Sequence, residues 1–477
     1  MKRTSGVLMH ISSLYGDYSI GSFGKEAKEF VDFLADCKFS YWQVLPFCMA
    51  DDCNSPYQSY STFAGNPYFV DLNILFEKGV ITAEELDAQK QEQPYSAEYV
   101  RLYHTRLNLL LTASKRATNV EKINQFIEEN PYLKQFCEFM AFKASNENKP
   151  WYEWKTNSYD NEILFMWKFI QYEFFAQWNE IKKYANEKGI KIIGDIPIYV
   201  SLDSADVWAN KEQFLLDEKN VPVCVAGVPP DYFCADGQLW GNPLYNWDVM
   251  KANGYKWWTD RLKHMTNMFD GVRIDHFRGL ESYWAVPYGE ETAKNGKWIK
   301  GPGMDLINKL NEATGDKLIM AEDLGEITPE VEKLVADSGY PGIRVLQFGF
   351  LGDYDNPHMP HNYTNNSIVY TGTHDNNTLL GYLWELDEGN KKRMLEYCNY
   401  HSPDWERGYD SILRTMYASC AGLLILPIQD LLGYGSDTRL NIPGKADGNW
   451  QFRITKEQLN NIDKNKFRHF NELYKRV

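Results

Sequence analysis

Most of the patterns that announce a function are missing from this sequence. Its 477 residues hold eight cysteines, at 37, 48, 53, 137, 224, 234, 398 and 420. No two are spaced as CxxC, and none is set with histidines as zinc requires. The expectation is reduced, mostly buried thiols in a cytoplasmic protein. There is no long run of one charge sign, and the formal net charge is −15. Nucleic acid and anionic membranes demand a basic footprint, so neither is an expected partner. No stretch nears the ~20 apolar residues of a membrane helix. The apolar run after Lys2 and Arg3 is interrupted by His10 and Ser12, too soon for a secretion signal. GxGxxG, P-loop, GxSxG and HExxH motifs are all lacking, which removes several large enzyme classes. No repeat of fixed period and no low-complexity linker is found.

What is present reads as an ordinary soluble protein, 44% apolar and 24% charged. Aromatics reach 15%, with 15 Trp and 31 Tyr. That composition suits a large core, or a cleft that stacks the apolar faces of sugar rings. Eight short β-rich runs occur in order: 6–13, 41–47, 190–200, 271–277, 317–324, 342–350, 367–375 and 422–431. Helical patterns such as EAKEFVDFLADC (26–37) lie between most of them. Strand and helix alternating eight times predicts an α/β fold, a (β/α)8 TIM barrel. Such a barrel needs roughly 250 residues, so the surplus must sit in insertions on a single catalytic barrel domain spanning 1–477. One is expected between strands 2 and 3, with a mainly helical subdomain over 76–189. A second, loop-rich insertion covering the active site is expected over 201–270, where turn signals such as VPPD, ADG and GNP cluster.

Three of the expected strands end in acids, at the barrel end where chemistry is done. They give Asp275 (RIDHF), Glu322 with Asp323 (MAEDLG), and Asp375 (GTHDNNT). Buried carboxylates are costly unless paired or used, and two converging carboxylates are what glycoside cleavage requires. Arg273 stands two residues before Asp275 and points the same way on a strand, which favours an ionised nucleophile. Glu322 follows LIMA with no cation nearby, so desolvation raises its pKa as a general acid needs. Arg273 could equally be a structural ion pair. His374 and His276 adjoin site acids; His276 is given no role. A divalent-metal site on the same acids is disfavoured by Arg273 and His374.

These residues lie in longer runs: YWQVLP, SPYQSYSTFAGNP (55–67), GDIPIYVSLDSADVWA (194–209), GVPPDYFCADGQLWGNPLYNW (227–247), DGVRIDHFRG (270–279), AEDLG and GTHDN. In this order, and nearly end to end, the chain resembles the amylomaltase, or disproportionating-enzyme, family of 4-alpha-glucanotransferases, relatives of the α-amylases. The resemblance implies a retaining double displacement that moves α-1,4-glucan segments from donor to acceptor maltooligosaccharides or glucose. It puts the nucleophile on Asp275, the acid/base on Glu322 and a third, substrate-distorting carboxylate on Asp375. Sugar-binding positions fall on Tyr57, Asp195, Arg273 and His374, and a lid-like loop falls on 227–243, with Asp231, Gln238 and Trp240 touching the glucan. No cofactor, catalytic metal or obligate protein partner is implied. Asp195 could instead be structural, and Tyr57 and Trp240 core aromatics. The Gly/Tyr run that often precedes SPYQ, with an aromatic for a secondary glucan patch, is replaced here by FCMADDCN, with Asp51 and Asp52. The chain starts directly at the first expected strand, without the extensions some relatives carry. A hydrolase of the same clan, or a non-catalytic glucan-binding protein on a decayed barrel, is the alternative.

Overall fold

The computed structural model describes residues 1–49, 54–230, 235–402, 405–445 and 447–477. Eight parallel strands close into a barrel: β1 (Thr4–Leu8), β2 (Tyr41–Gln43), β3 (Lys191–Ile196), β4 (Gly271–Ile274), β5 (Leu318–Ala321), β6 (Gly342–Val345), β7 (Ser367–Tyr370) and β8 (Leu423–Pro427). Each predicted run contains one strand or overlaps it, and β1 pairs with β8 to complete the ring. The strands are shorter than the runs. Beyond β6 the chain turns into a helical turn, Leu346–Gly349, and beyond β8 into the helix Ile428–Leu432. Apolar character continues there because Leu346, Ile428 and Leu431 of these turns are buried in the main core.

Alternation along the strands divides the core in two. Val7, Trp42, Ile192, Val272, Ile319, Val369 and Leu424 face the surrounding helices and belong to the main apolar cluster. Leu8, Ile193, Met320, Ile343, Val345, Ile368, Tyr370, Leu423 and Ile425 face inward and fill the lumen as a separate cluster. Inside it the Tyr370 hydroxyl donates to Gln43 Oε1 at 2.8 Å. This is a packed lumen, not a pore.

The insertion between β2 and β3 is helical. Helices Tyr99–Lys115, Val120–Glu128 and Pro131–Ser145 pack on the 27-residue helix Asn161–Glu187. That last helix also covers the barrel. Fully buried Trp178 donates its indole N–H to Met268 O at 3.0 Å. The span 201–270 departs from the expected loops in two ways. Lys256–Met268 is an amphipathic helix that leads into β4. A four-stranded antiparallel sheet also stands over the barrel, in the order Gln238–Pro243, Cys224–Val228, Ser282–Pro287, Lys297–Lys300. It joins the loop after β3 to the loop after β4, so neither segment shows its partner locally. Among the described residues, no helix is long and apolar enough to cross a membrane.

Candidate active site

Register across three neighbouring strands assembles the charged centre. Asp195 on β3 pairs with Arg273 on β4, and Ile274 pairs with Ala321 on β5. Asp275 and Glu322 therefore leave their strands side by side. Gly194 permits this placement on β3, because a Cβ there would come within 2.2 Å of the Phe269 ring.

Arg273 joins two acids. Its Nη1 donates to Asp195 Oδ1 and Oδ2 at 2.9 and 2.7 Å, and its Nη2 lies 2.7 Å from Asp275 Oδ1. Burial opposes the guanidinium charge, but Asp195 and Asp275 outweigh it and hold Arg273 well above its ordinary value. Burial likewise pushes the Asp195 carboxyl up, with Arg273 as the main force in the other direction. Asp195 has 0% exposure and accepts a further hydrogen bond from the Tyr57 hydroxyl at 2.7 Å. Without free surface, Asp195 is engaged by Arg273 and Tyr57, the structural arrangement that the sequence left open beside a sugar contact. Arg273 is nearly as enclosed. Asp275, with its side chain 28% exposed, presents an oxygen to the cleft.

Glu322 is held by main-chain groups. Its Oε2 accepts from His276 N at 2.7 Å and its Oε1 from Leu324 N at 3.0 Å. The first bond depends on His276 adopting a left-handed backbone, φ 51°, a conformation costly for a non-glycine residue. Two N–H donors favour the carboxylate, but burial and the neighbouring Asp275 charge win, raising Glu322 to about 8. The adjacent Asp323 faces the other way. It pairs with Arg344 at 2.9 Å and accepts from Ile343 N at 2.6 Å, so it belongs to the scaffold.

Asp375 lies five residues past the end of β7, where strict alternation has lapsed, so His374 and Asp375 both reach the cleft. The His374 Nε2 stands 3.3 Å from Asp375 Oδ2, Asn441 Nδ2 donates to Oδ1 at 2.6 Å, and Arg439 Nη2 donates to the Asp375 carbonyl at 2.5 Å. Burial acts to raise this carboxyl, yet His374, Asn441 and Arg273 together lower it to about 2. The side chain remains 43% exposed and lines the cleft. Burial also works against a charged His374, but Asp375 raises its pKa.

One cleft of about 390 Å³ gathers Tyr57, Gln238, Trp240, Asp275, His374 and Asp375. Tyr57 stacks on His374 with ring centroids 5.2 Å apart, and Trp450 leans on both rings. On the opposite wall Trp240 meets His276 edge-on at 4.8 Å and donates to Gln238 Oε1 at 3.1 Å. Asp231 lies outside the described residues, as do Asp51 and Asp52 of the altered run. Sequence reasoning did not single out Trp450, Asn441, Pro443 and Gly444, which form the wall beside Asp375. The signal was faint: a turn-rich NIPG…NW segment with no strand of its own. Among the described residues, no three His, Cys, Asp or Glu side chains are arranged to hold a metal ion.

The glycoside-hydrolase-type model described as 4-alpha-glucanotransferase matches residues 9–459. The chain belongs to the 4-alpha-glucanotransferase family. It is similar to the 4-alpha-glucanotransferase of Streptococcus pneumoniae serotype 4, 44% identical over 96% of this chain and 94% of that protein. It is 42% identical to the Clostridium butyricum 4-alpha-glucanotransferase, over 98% and 100% of the two chains. Its fold matches a solved amylomaltase from Streptococcus agalactiae in complex with acarbose, with TM-score 0.96 and 39% identity over the whole of both chains. A Corynebacterium glutamicum amylomaltase, 17% identical, shares the fold at TM-score 0.79. The family and the full-length coverage make the chain an enzyme, with 4-alpha-glucanotransferase activity on α-1,4-glucans.

Proposed function

We propose that Asp275 is the nucleophile of a retaining double displacement, that Glu322 is its acid/base, and that Asp375 grips sugar hydroxyls. Asp275 attacks the anomeric carbon of an α-1,4-glucan lying in the cleft while Glu322 passes its proton to the leaving 4-oxygen. The covalent glucosyl–Asp275 ester then meets the 4-hydroxyl of an acceptor, maltooligosaccharide or glucose. Glu322, now a base, takes that hydroxyl proton, and a new α-1,4 bond forms as the ester breaks. The observation that carries this is the split between the two acids. Asp275 sits 2.7 Å from a guanidinium, whereas Glu322, held by two main-chain N–H groups, is bonded to no cation among the described residues and is raised to about 8. Glu322 therefore holds its proton at neutral pH, as the acid of the first step must, beside an acid that is paired with a guanidinium. The acarbose complex of the Streptococcus agalactiae relative supports an α-glucan-like occupant for this cleft.

Asp195 and Arg273 serve as positioning residues in this reading. Tyr57, His374, Trp240 and Trp450 supply ring faces, and Gln238, Asn441 and Asp375 supply polar groups to the glucan. Transfer rather than hydrolysis follows if sugar reaches the ester before water, which a covered cleft favours. The product profile from maltotriose tests this. A ladder of longer oligosaccharides with some glucose is expected; glucose and maltose alone would identify a hydrolase.

A further inference from the structure

Strand β7 ends at Tyr370, and a helix runs from Leu379 to Glu385. The loop between them carries His374 and Asp375 beyond the barrel ladder. Its middle is held from the cleft side. Asn441 N donates to His374 O at 3.2 Å, while Arg439 and Asn441 bond the carbonyl and carboxyl of Asp375. On another side Gln347 Nε2 donates to Asn377 O at 2.7 Å. A Cβ on Gly372 would come within 2.5 Å of that same amide.

Both ends of this loop meet one carboxylate, that of Asp430 in the helix just past β8. Its Oδ2 accepts from Thr371 Oγ1 at 2.5 Å, and its Oδ1 accepts from Leu379 N at 2.8 Å. Thr371 is the first residue after β7, and Leu379 opens the following helix. One side chain therefore fixes where the loop starts and where it stops. Asp430 is fixed in turn. β8 is the hydrogen-bonded neighbour of β7, and Asp430 O accepts from the Tyr409 hydroxyl at 2.8 Å. Asp430 is 1% exposed and, among the described residues, bonded to no cation. Burial pushes its carboxyl up to about 6, against the pull of its two donors. A buried acid without a cation is costly. What its two acceptor oxygens supply is a bridge from a hydroxyl to a main-chain N–H across the base of the loop.

We infer that Asp430 is a positioning residue for the transfer reaction: it ties both ends of the loop 371–379 and so sets where Asp375 meets the sugar. The inference rests on the proposed grip of Asp375 on sugar hydroxyls. Asp430 does not line the cleft, so it acts through the loop. Hydrogen bonds to sugar hydroxyls strengthen as the ring distorts toward the transition state. A slack loop should therefore lower kcat more than it raises KM. A shift of about 1 Å in a reacting geometry can cost about 100-fold in rate.

Three variants turned over on maltotriose test it, with the folded fraction of each fixed by urea unfolding. Asp430→Ala cuts both ties and is expected to lower kcat per folded molecule about 10- to 100-fold, with KM within about threefold of the parent. Thr371→Val keeps the shape and cuts one tie, for an expected fall of about three- to tenfold. Asp430→Asn rebuilds both ties without a charge. Its Oδ1 accepts from Leu379 N, and its Nδ2 donates to the Thr371 hydroxyl, which accepts as readily as it donates. That variant should return kcat to within about threefold of the parent. A merely structural Asp430 would lower the urea midpoint of Asp430→Ala and leave kcat per folded molecule unchanged, which overturns the inference. A loss in Asp430→Asn as large as in Asp430→Ala also overturns it, by assigning the effect to charge. If Asp430→Ala does not fold, Thr371→Val decides, and a parent-like kcat there overturns the tether. Asp375→Asn, run alongside, tests the grip separately. Parent-like turnover there sinks the proposed role of Asp375, whereas its collapse beside parent-like kcat in Asp430→Ala and Thr371→Val sinks the tether alone.

Discussion

At the floor of the lumen, Ile193, Met320, Ile343, Ile368 and Leu423 pack without a charged atom among them; two residues onward stand Asp195 on β3 and Glu322 just past β5, and Asp275 stands two beyond Arg273. The change from oil to ions takes place over one strand repeat. The floor contributes cohesion through area removed from water. The mouth costs free energy, because carboxylates beside an apolar plug are poorly solvated. The two regions are nevertheless coupled. Burial beside the apolar floor is part of what raises Glu322, and Arg273, 2.7 Å from Asp275, gives that acid an ion pair at the mouth. A residue in the floor therefore serves stability first, and a residue in the mouth serves chemistry at stability's expense.

Three substitutions test how sharp that division is. Asp275→Asn is expected to lower kcat on maltotriose by at least ~10³-fold, the loss of a covalent nucleophile, with the melting temperature nearly unchanged; substantial residual turnover would remove Asp275 from its role. Arg273→Leu belongs to both worlds. It leaves Asp195 buried without its cation, so unfolding in urea should report a loss of about 3–5 kcal/mol. Activity at 25 °C should fall as well, because Asp275 loses its partner. A variant as stable as the parent would mean that the ion pair is not what holds the mouth. Ile343→Ala, in the floor, should cost about 2–5 kcal/mol of stability while kcat per folded molecule stays within about twofold of the parent. A large kcat change there, with the fold intact, would show that the floor tunes the acids more directly than its position suggests.

Much of this arrangement could be read before any coordinates. The eight apolar runs were legible because fully buried parallel strands leave nearly continuous β-branched and aliphatic stretches. Asp275 and Glu322 were legible because a strand that ends in an acid is an expensive pattern. The Arg273–Asp275 pairing followed from the two-residue repeat. Other features left no local trace. The sheet over the barrel forms from Cys224–Val228 and Ser282–Pro287, whose segments meet only after β4 has been placed. The His276 N–H that holds Glu322 is a main-chain group, invisible in any choice of side chain. Whether Asp195 meets sugar or holds the scaffold was left open, because position in a motif does not reveal which of several acids ends up behind the guanidinium. Trp450 and Asn441 lie in a turn-rich loop, where periodicity gives no direction to a side chain.

The smallest expected effect concerns Glu322 itself and separates its chemical from its structural cost. A carboxyl raised from 4.5 to about 8 keeps its proton in the folded chain long after the unfolded chain has released it. Below about pH 4.5 both states are protonated and the residue imposes no penalty. As pH rises toward 8 the unfolded state binds fewer protons, so stability falls, and above about 8 the loss is complete. Glu322→Gln cannot titrate and escapes this slope. Its amide does sacrifice something: with both Glu322 oxygens accepting from main-chain N–H groups, a Gln must turn its NH₂ against one of them, at a roughly constant cost of ~1–2 kcal/mol. The quantity to read is therefore the pH dependence, not the offset. Urea unfolding at pH 5 and at pH 8 should show the variant gaining about 1–3 kcal/mol on the parent between the two. In the parent, kcat/KM should decline as pH passes upward through about 8, where the acid loses its proton. A variant whose stability runs parallel to the parent's across this range would mean that Glu322 is ionised in the folded chain, and the acid would have to be sought elsewhere in the mouth.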